Sequence, residues 1–130
     1  MIDTNILISI FLFPTPAMRK LVDNITGQHT IVLSSYVIDE LKTVIKRKFP
    51  TKDRALDIFL SELPFDYAYT VEKIDADKYP SIRDKKDLPV LVSAITEDVE
   101  ILITGDKDFF DMEIEKPEIL TPTQFLEKYG

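Results

Sequence analysis

Two short runs of almost uninterrupted apolar residues most constrain the fold of this chain. They cover Thr30–Leu33 and Glu100–Thr104. Apolar runs without alternating polar positions are typical of strands that are buried on both faces of a parallel sheet. Helical patterns lie between the strand patterns, and this alternation predicts an α/β fold, a three-layer α/β/α sandwich around a central parallel sheet of four to five strands.

The other strand patterns are shorter, and the helices are marked by local signals. Further strands are predicted at Met1–Asp3, Tyr69–Val71 and Ile119–Leu120. Helices are predicted over Ile6–Phe13, Pro16–Ile25, Ser35–Lys48, Asp53–Leu63, Asp87–Asp98 and Thr123–Tyr129. Proline in a first turn favours the second helix, which is expected to end at Gly27, and Ser35 is the expected N-cap of the third.

Composition predicts one cytoplasmic domain over residues 1–130. The chain contains 45% apolar and 30% charged residues, which is ordinary for a globular protein. It has no cysteine, so disulfides and zinc–thiolate sites are excluded, and a reducing cytosol is the expected compartment. The apolar run Ile6–Phe13 is too short to span a bilayer, so no membrane association is expected.

The net charge of −7 does not favour a nucleic-acid partner, because phosphate affinity normally depends on Lys and Arg. However, bound cations would cancel the charge of clustered acids and invert the local field. The net charge therefore does not exclude such a partner.

Four acidic residues lie near predicted strand ends or helix starts: Asp3, Glu40, Asp87 and Asp106. In parallel sheets, sites form beyond the carboxyl ends of the strands, where Asp3 and Asp106 are expected. Carboxylates that converge there without a cation would repel each other. Oxygen ligands suit Mg²⁺ or Mn²⁺, so the pattern predicts a metal site.

Each acid also has an ordinary structural interpretation. Glu40 lies within the apolar stripe of its helix, where a carboxylate is costly unless it is paired, but a salt bridge or a solvated rim position would also explain it. Asp87 at a helix start is a candidate cap or dipole partner. If Asp84 is the cap instead, the Asp87 side chain is free to point inward.

The same segments resemble the four motifs of the PIN-domain nucleases, most closely the prokaryotic toxin-like, VapC-type branch. The resemblance covers almost the whole chain, in the right order. The matching segments are Asp3-Thr4-Asn5, Ser34-Ser35 with Glu40-Leu41, the run from Arg83 to Asp87 with Leu91 and Ala94, and the run from Thr104 to Phe109.

The resemblance implies a metal-dependent endoribonuclease that uses Asp3, Glu40, Asp87 and Asp106 as catalytic metal ligands. It further implies a homodimer and inhibition by a small antitoxin protein. Supporting roles are expected for three other residues: Asn5 and Thr104 orient ligands or waters, and Asp108 is an outer ligand.

Substrate contacts are less specific in the sequence. Candidates for RNA phosphate contact are Arg83, Lys85 and Lys86, although a solvated charge run is an equally simple interpretation. Candidates for contact with unstacked bases are Tyr36, Tyr79 and Phe109. His29 precedes a strand, in a predicted turn far from the acids, and is expected to have a surface role.

Two other functions are compatible with the pattern. One is a Mg²⁺-dependent phosphatase-like phosphotransfer enzyme with Asp3 as nucleophile, although position 5 is asparagine where the haloacid-dehalogenase pattern has a second aspartate. The other is a catalytically silent binding module. The presence of all four acids argues against the silent module.

Overall fold

A computed structural model describes residues 1–130 as helices alternating with short parallel strands. The helices are α1 (Thr4–Leu12), α2 (Pro16–Gln28), α3 (Ser35–Lys48), α4 (Asp53–Glu62), α5 (Leu88–Thr96), α6 (Lys107–Phe110) and α7 (Pro122–Tyr129). The strands are β1 (Ile31–Ser34), β2 (Phe65–Ala68), β3 (Ile101–Ile103) and β4 (Glu118–Leu120). Short 3₁₀ turns lie at Pro50–Lys52, Ala76–Lys78 and Lys85–Asp87.

All strand pairing is parallel, as predicted, but the sheet is less continuous than expected. β1 pairs with β2, and β3 pairs with β4. The predicted strand Met1–Asp3 is reduced to a single bridge between Ile2 and Ile103. It ends early because Asp3 is already the N-cap of α1, whose first residue is Thr4. The chain therefore turns directly from the strand into a helix at the first acid.

The strand predicted at Tyr69–Val71 lies several residues earlier in the structure, so this prediction was wrong. The strand is β2, where Ala68 is buried while Tyr67 is exposed. After Ala68 the chain leaves the ladder, because the N–H of Thr70 donates to the hydroxyl of Ser35 (2.8 Å). The β-propensity of Tyr69 and Val71 was therefore misleading, since both side chains lie exposed beyond the strand.

Most helix bounds differ from the predictions by one to three residues, and the predicted end of α2 and the predicted N-cap of α3 were wrong. α2 continues through Gly27 to Gln28, in an exposed segment where a helical glycine costs only about 1 kcal/mol. The N-cap of α3 is Ser34 rather than Ser35, because the Ser34 hydroxyl accepts the N–H of Val37 (3.1 Å). These differences leave the order of elements unchanged.

One hydrophobic core connects the helices to the strands. Leu7 of α1, Leu41 of α3, Leu91 of α5 and Leu102 of β3 are all fully buried in it. Packing of these elements fixes the carboxyl ends of the strands relative to α1, α3 and α5. No single helix is long and apolar enough to cross a membrane, although α1 and α2, which meet at a bend of 115°, reach that length and composition together.

The capping box at the start of α7 provides a test of how much a helix cap stabilises this fold. The Thr121 hydroxyl accepts the N–H of Gln124 (3.1 Å), and the Gln124 side chain accepts the N–H of Thr121 (2.9 Å). Thr121→Ala should lower the free energy of unfolding by about 1 kcal/mol, measured by urea denaturation. Thr123→Ala, in the first turn of the same helix, should have little effect. Equal effects of the two variants would contradict a stabilising role of the Thr121 cap.

Candidate metal centre

The four predicted acids line one small cavity. Its volume is about 40 Å³, and Asp3, Glu40, Asp87 and Asp106 all contribute to its wall. The remaining lining residues are Thr4, Asn5, Lys86, Val90 and Phe109. The structure thus brings together side chains that are separated by more than a hundred positions in the sequence.

Asp3 is held in the cavity by two donors. Its Oδ1 atom accepts the N–H of Ile6 (3.2 Å), which caps α1, and its Oδ2 atom accepts the hydroxyl of Thr104. The side chain is buried, and burial raises the pKa of the Asp3 carboxyl while these two hydrogen bonds oppose the rise. The negative charges of Asp106 and Glu40 raise it further.

Thr104 connects Asp3 to the second strand-end acid. Its hydroxyl oxygen also accepts the N–H of Asp106 (3.1 Å). Asp106 in turn caps α6, because its Oδ1 atom accepts the N–H of Asp108 (2.9 Å). One buried hydroxyl therefore fixes the positions of both acids, which is the supporting geometry expected for Thr104.

Asp87 has the most strongly perturbed carboxyl group. Asp84 caps the 3₁₀ turn through the N–H of Lys86 (3.0 Å), and Asp87 makes no capping bond, so the Asp87 side chain is free to face the cavity. The pKa of Asp87 is raised to about 7, and the largest cause is burial. The next causes are a hydrogen bond to Asp106 and the negative charge of Asp106. Asp84 and Asp108 add smaller contributions.

Glu40 enters the cavity from the buried side of α3, half-buried as its position in the apolar stripe predicted. The Tyr36 hydroxyl, one turn earlier, lies 3.4 Å from Glu40 Oε2 and 3.3 Å from the carbonyl oxygen of Lys86. Sequence analysis named Tyr36 only as a possible base contact. Tyr36 and Glu40 are four residues apart on one helix, and this spacing could have predicted that their side chains contact each other.

Other predicted residues lie apart from the cavity or have different surroundings. Asp108 is buried and accepts Arg83 Nε (2.7 Å) and Nη2 (3.3 Å), so Arg83 is occupied by this ion pair in the structure. Phe109 lines the cavity but is only 1% exposed, so it is a core residue and the suggestion that it stacks on a base was wrong. His29 is exposed and packs edge-on against Phe125.

The donor set of this cavity fits a hard divalent cation. Two oxygen atoms of its lining residues, Thr4 Oγ1 and Asp87 Oδ2, are buried and have no hydrogen-bond partner. Buried polar oxygens are normally satisfied, so these two indicate a missing partner. Carboxylate and hydroxyl oxygens without sulfur or imidazole are typical of Mg²⁺ and Mn²⁺ sites.

An acid-lined cavity beyond the ends of parallel strands defines the chain as an α/β protein with a candidate metal centre. A PIN domain family profile matches residues 1–108. The chain therefore belongs to the PIN domain family, as its four motifs predicted.

Solved structures support the same fold. A chain in the crystal structure of VapBC2 from Rickettsia felis, bound to a DNA fragment from their promoter, superposes with a TM-score of 0.70 and 23% sequence identity. The match covers 92% of this chain and 95% of that chain. This similarity confirms the predicted fold class. No curated protein matches the sequence.

The raised pKa of Asp87 predicts a stability that depends on pH and metal. Between the usual value of 3.8 and about 7, the folded state retains a proton that the unfolded state has released, so the metal-free protein should lose stability as pH rises through this window. A divalent cation competes with that proton, so Mn²⁺ should raise the melting temperature more at pH 8 than at pH 5.

Circular dichroism melts at both pH values, in EDTA and in Mn²⁺, measure this effect. Asp87→Asn should reduce both dependences, whereas Asp57→Asn, an exposed change on α4, should preserve them. An equal effect of Mn²⁺ at the two pH values would contradict the assignment.

Thr104 provides a second test. Thr104→Val keeps the shape of the buried side chain but removes the donor to Asp3 and the acceptor for Asp106. The expected loss is about 1–3 kcal/mol of unfolding free energy, because two buried polar groups lose their partner. Thr104→Ser keeps the hydroxyl and should retain most of that energy in urea denaturation. A valine variant as stable as the serine variant would show that this hydroxyl does not hold the two acids.

Proposed function

We propose that this chain is an endoribonuclease that hydrolyses RNA phosphodiester bonds with Mg²⁺ or Mn²⁺, and that it is the VapC-type toxin of a toxin–antitoxin pair. The observation that carries the proposal is the single cavity lined by four carboxylates and the Thr4 hydroxyl, in which Thr4 Oγ1 and one oxygen of Asp87 have no hydrogen-bond partner. Membership of the PIN domain family supports nuclease chemistry.

In this proposal Asp3, Glu40, Asp87 and Asp106 hold the cation. When bound, the cation supplies Lewis-acid polarisation of the phosphate and a water of lowered pKa. The protein contributes position: Thr104 holds Asp3 and Asp106, and Tyr36 holds Glu40. No side chain is required as a nucleophile.

Three other residues have proposed roles at the same cavity. Thr4 and Asn5 lie on its wall, where their oxygens orient water or ligand. Lys86 is the only basic residue on that wall, and it forms none of the ion pairs in the structure. We assign Lys86 to the phosphate of the substrate, whereas Arg83 neutralises Asp108.

Exposed apolar side chains support the proposal that this chain binds other proteins. Phe13, Phe49 and Ile58 are exposed at the ends of α1 and α3 and on α4, and α3 packs against both of the other helices. Apolar side chains that form one exposed patch are typical of interaction sites, and we propose that these three side chains belong to such a patch. The proposed partners are a small antitoxin protein and a second copy of the chain.

Cleavage of a randomised single-stranded RNA pool in Mn²⁺ tests the proposal. Wild-type protein should cleave, EDTA should prevent cleavage, and Asp106→Asn or Asp3→Asn should reduce the rate at least about 100-fold, since loss of even a supporting residue costs 10–100-fold. Asp57→Asn should retain wild-type activity, and circular dichroism should show that every variant is folded.

The same preparations separate the alternative functions. Turnover of small phosphomonoesters without RNA cleavage, together with a trapped aspartyl-phosphate at Asp3, would support the phosphatase-like enzyme instead. Absence of any phosphodiester or phosphomonoester turnover in folded, metal-bound protein would favour the silent binding module.

A further inference from the structure

A second cavity lies beside the acid-lined one. Its volume is about 270 Å³, close to the lower end of typical ligand pockets. Val71, Ile74 and Pro89 form its apolar wall, and Asp39 and Glu72 contribute two carboxylates. None of its lining residues is Lys or Arg, so it presents hydrogen-bond acceptors around an apolar surface.

Tyr36 separates the two cavities. It lines the second cavity, while its hydroxyl contacts Glu40 Oε2 on the wall of the first. The half-buried Tyr36 side chain therefore reaches from the second cavity to Glu40 and to the carbonyl oxygen of Lys86, two residues that line the first cavity. This proximity suits a part of the same substrate molecule.

The second cavity is held in shape by a network of hydroxyl groups. The Thr70 N–H donates to Ser35 Oγ (2.8 Å), and the Thr70 hydroxyl is hydrogen-bonded to Ser93 Oγ (2.7 Å). The N–H of Tyr36 donates to the same Thr70 oxygen (3.3 Å). These bonds attach the chain after β2 to the start of α3 and to the middle of α5, so this side of the pocket is positioned without a ligand.

We propose that this cavity receives the RNA base next to the scissile phosphate and selects bases that carry an amino group, namely adenine, cytosine or guanine, over uracil. The inference rests on the proposed ribonuclease function. Single-stranded RNA is recognised through bases that stack on aromatic side chains and form hydrogen bonds at their edges.

The charges of the cavity decide which part of the nucleotide it takes. Asp39 and Glu72 would repel a phosphate, so the sugar–phosphate backbone is directed away from them. Ionised carboxylates only accept hydrogen bonds, and Asp or Glu pairs with amino groups of bases. Uracil has no amino group, and its one donor on the pairing edge, N3–H, lies between two carbonyl oxygens, which the carboxylates disfavour.

Cleavage-site sequencing of a randomised RNA pool tests the inference. Wild-type protein in Mn²⁺ should discriminate against uridine at one position beside the cleaved bond. Glu72→Gln combined with Asp39→Asn should reduce that discrimination about tenfold, because the carboxylate acceptors are replaced by amides with donors. Cleavage beside adenine, cytosine and guanine should slow relative to cleavage beside uracil, because the acceptors for their amino groups are lost, whereas neither residue lines the acid cavity itself.

The matched control is Glu62→Gln, an exposed change at the end of α4, which should keep the wild-type base preference. Cleavage by wild-type protein without uridine bias, or an unchanged bias in the folded double variant, would overturn the base pocket and leave the ribonuclease function intact. Failure of the wild-type protein to cleave any RNA would overturn both.

Discussion

The burial of the Asp3 carboxylate is the constraint on which the rest of the site depends. A buried carboxylate is costly unless hydrogen bonds satisfy it. The Asp3 carboxylate meets this condition with two hydrogen bonds, since its Oδ1 caps α1 and its Oδ2 accepts the Thr104 hydroxyl, while the Asp3 backbone N–H donates to the Ile103 carbonyl (3.1 Å). The same residue thus ends the first strand segment, starts the first helix and faces the cavity.

The carboxylates in the cavity repel each other, because the hydrogen bonds that position them come from neutral groups and do not cancel their charge. Thr104 and Tyr36 are neutral, so four carboxylates share a wall with Lys86 as the only basic side chain. The raised pKa values of Asp3 and Asp87 express this repulsion together with burial. Because the acids repel each other, a ligand that cancels their charge would stabilise the folded protein. Loss of stability at a functional site is common in proteins.

The sequence predicted those features that depend on local pattern and on strand direction. Asp3 and Asp106 meet because parallel strands bring their carboxyl ends to one edge, and Glu40 faces inward because it lies in the apolar stripe of its helix. Other features depend on partners that are distant in the sequence. Ser35 binds Thr70 instead of capping α3, and Arg83 binds Asp108, a pairing across 25 positions that no local rule indicates.

A second group of carboxylates helps to explain why the inner cavity is the better cation site. Ligand oxygens of Asp84, Asp87 and Asp108 lie within 4.8 Å of one another. However, Asp108 is already paired with Arg83, and Asp84 is exposed to water, which screens its charge. Asp87 belongs to both groups, and its unpartnered Oδ2 atom lies in the cavity wall, where no arginine is present. Arg83 therefore neutralises part of the outer group, which supports the inner cavity as the proposed cation site.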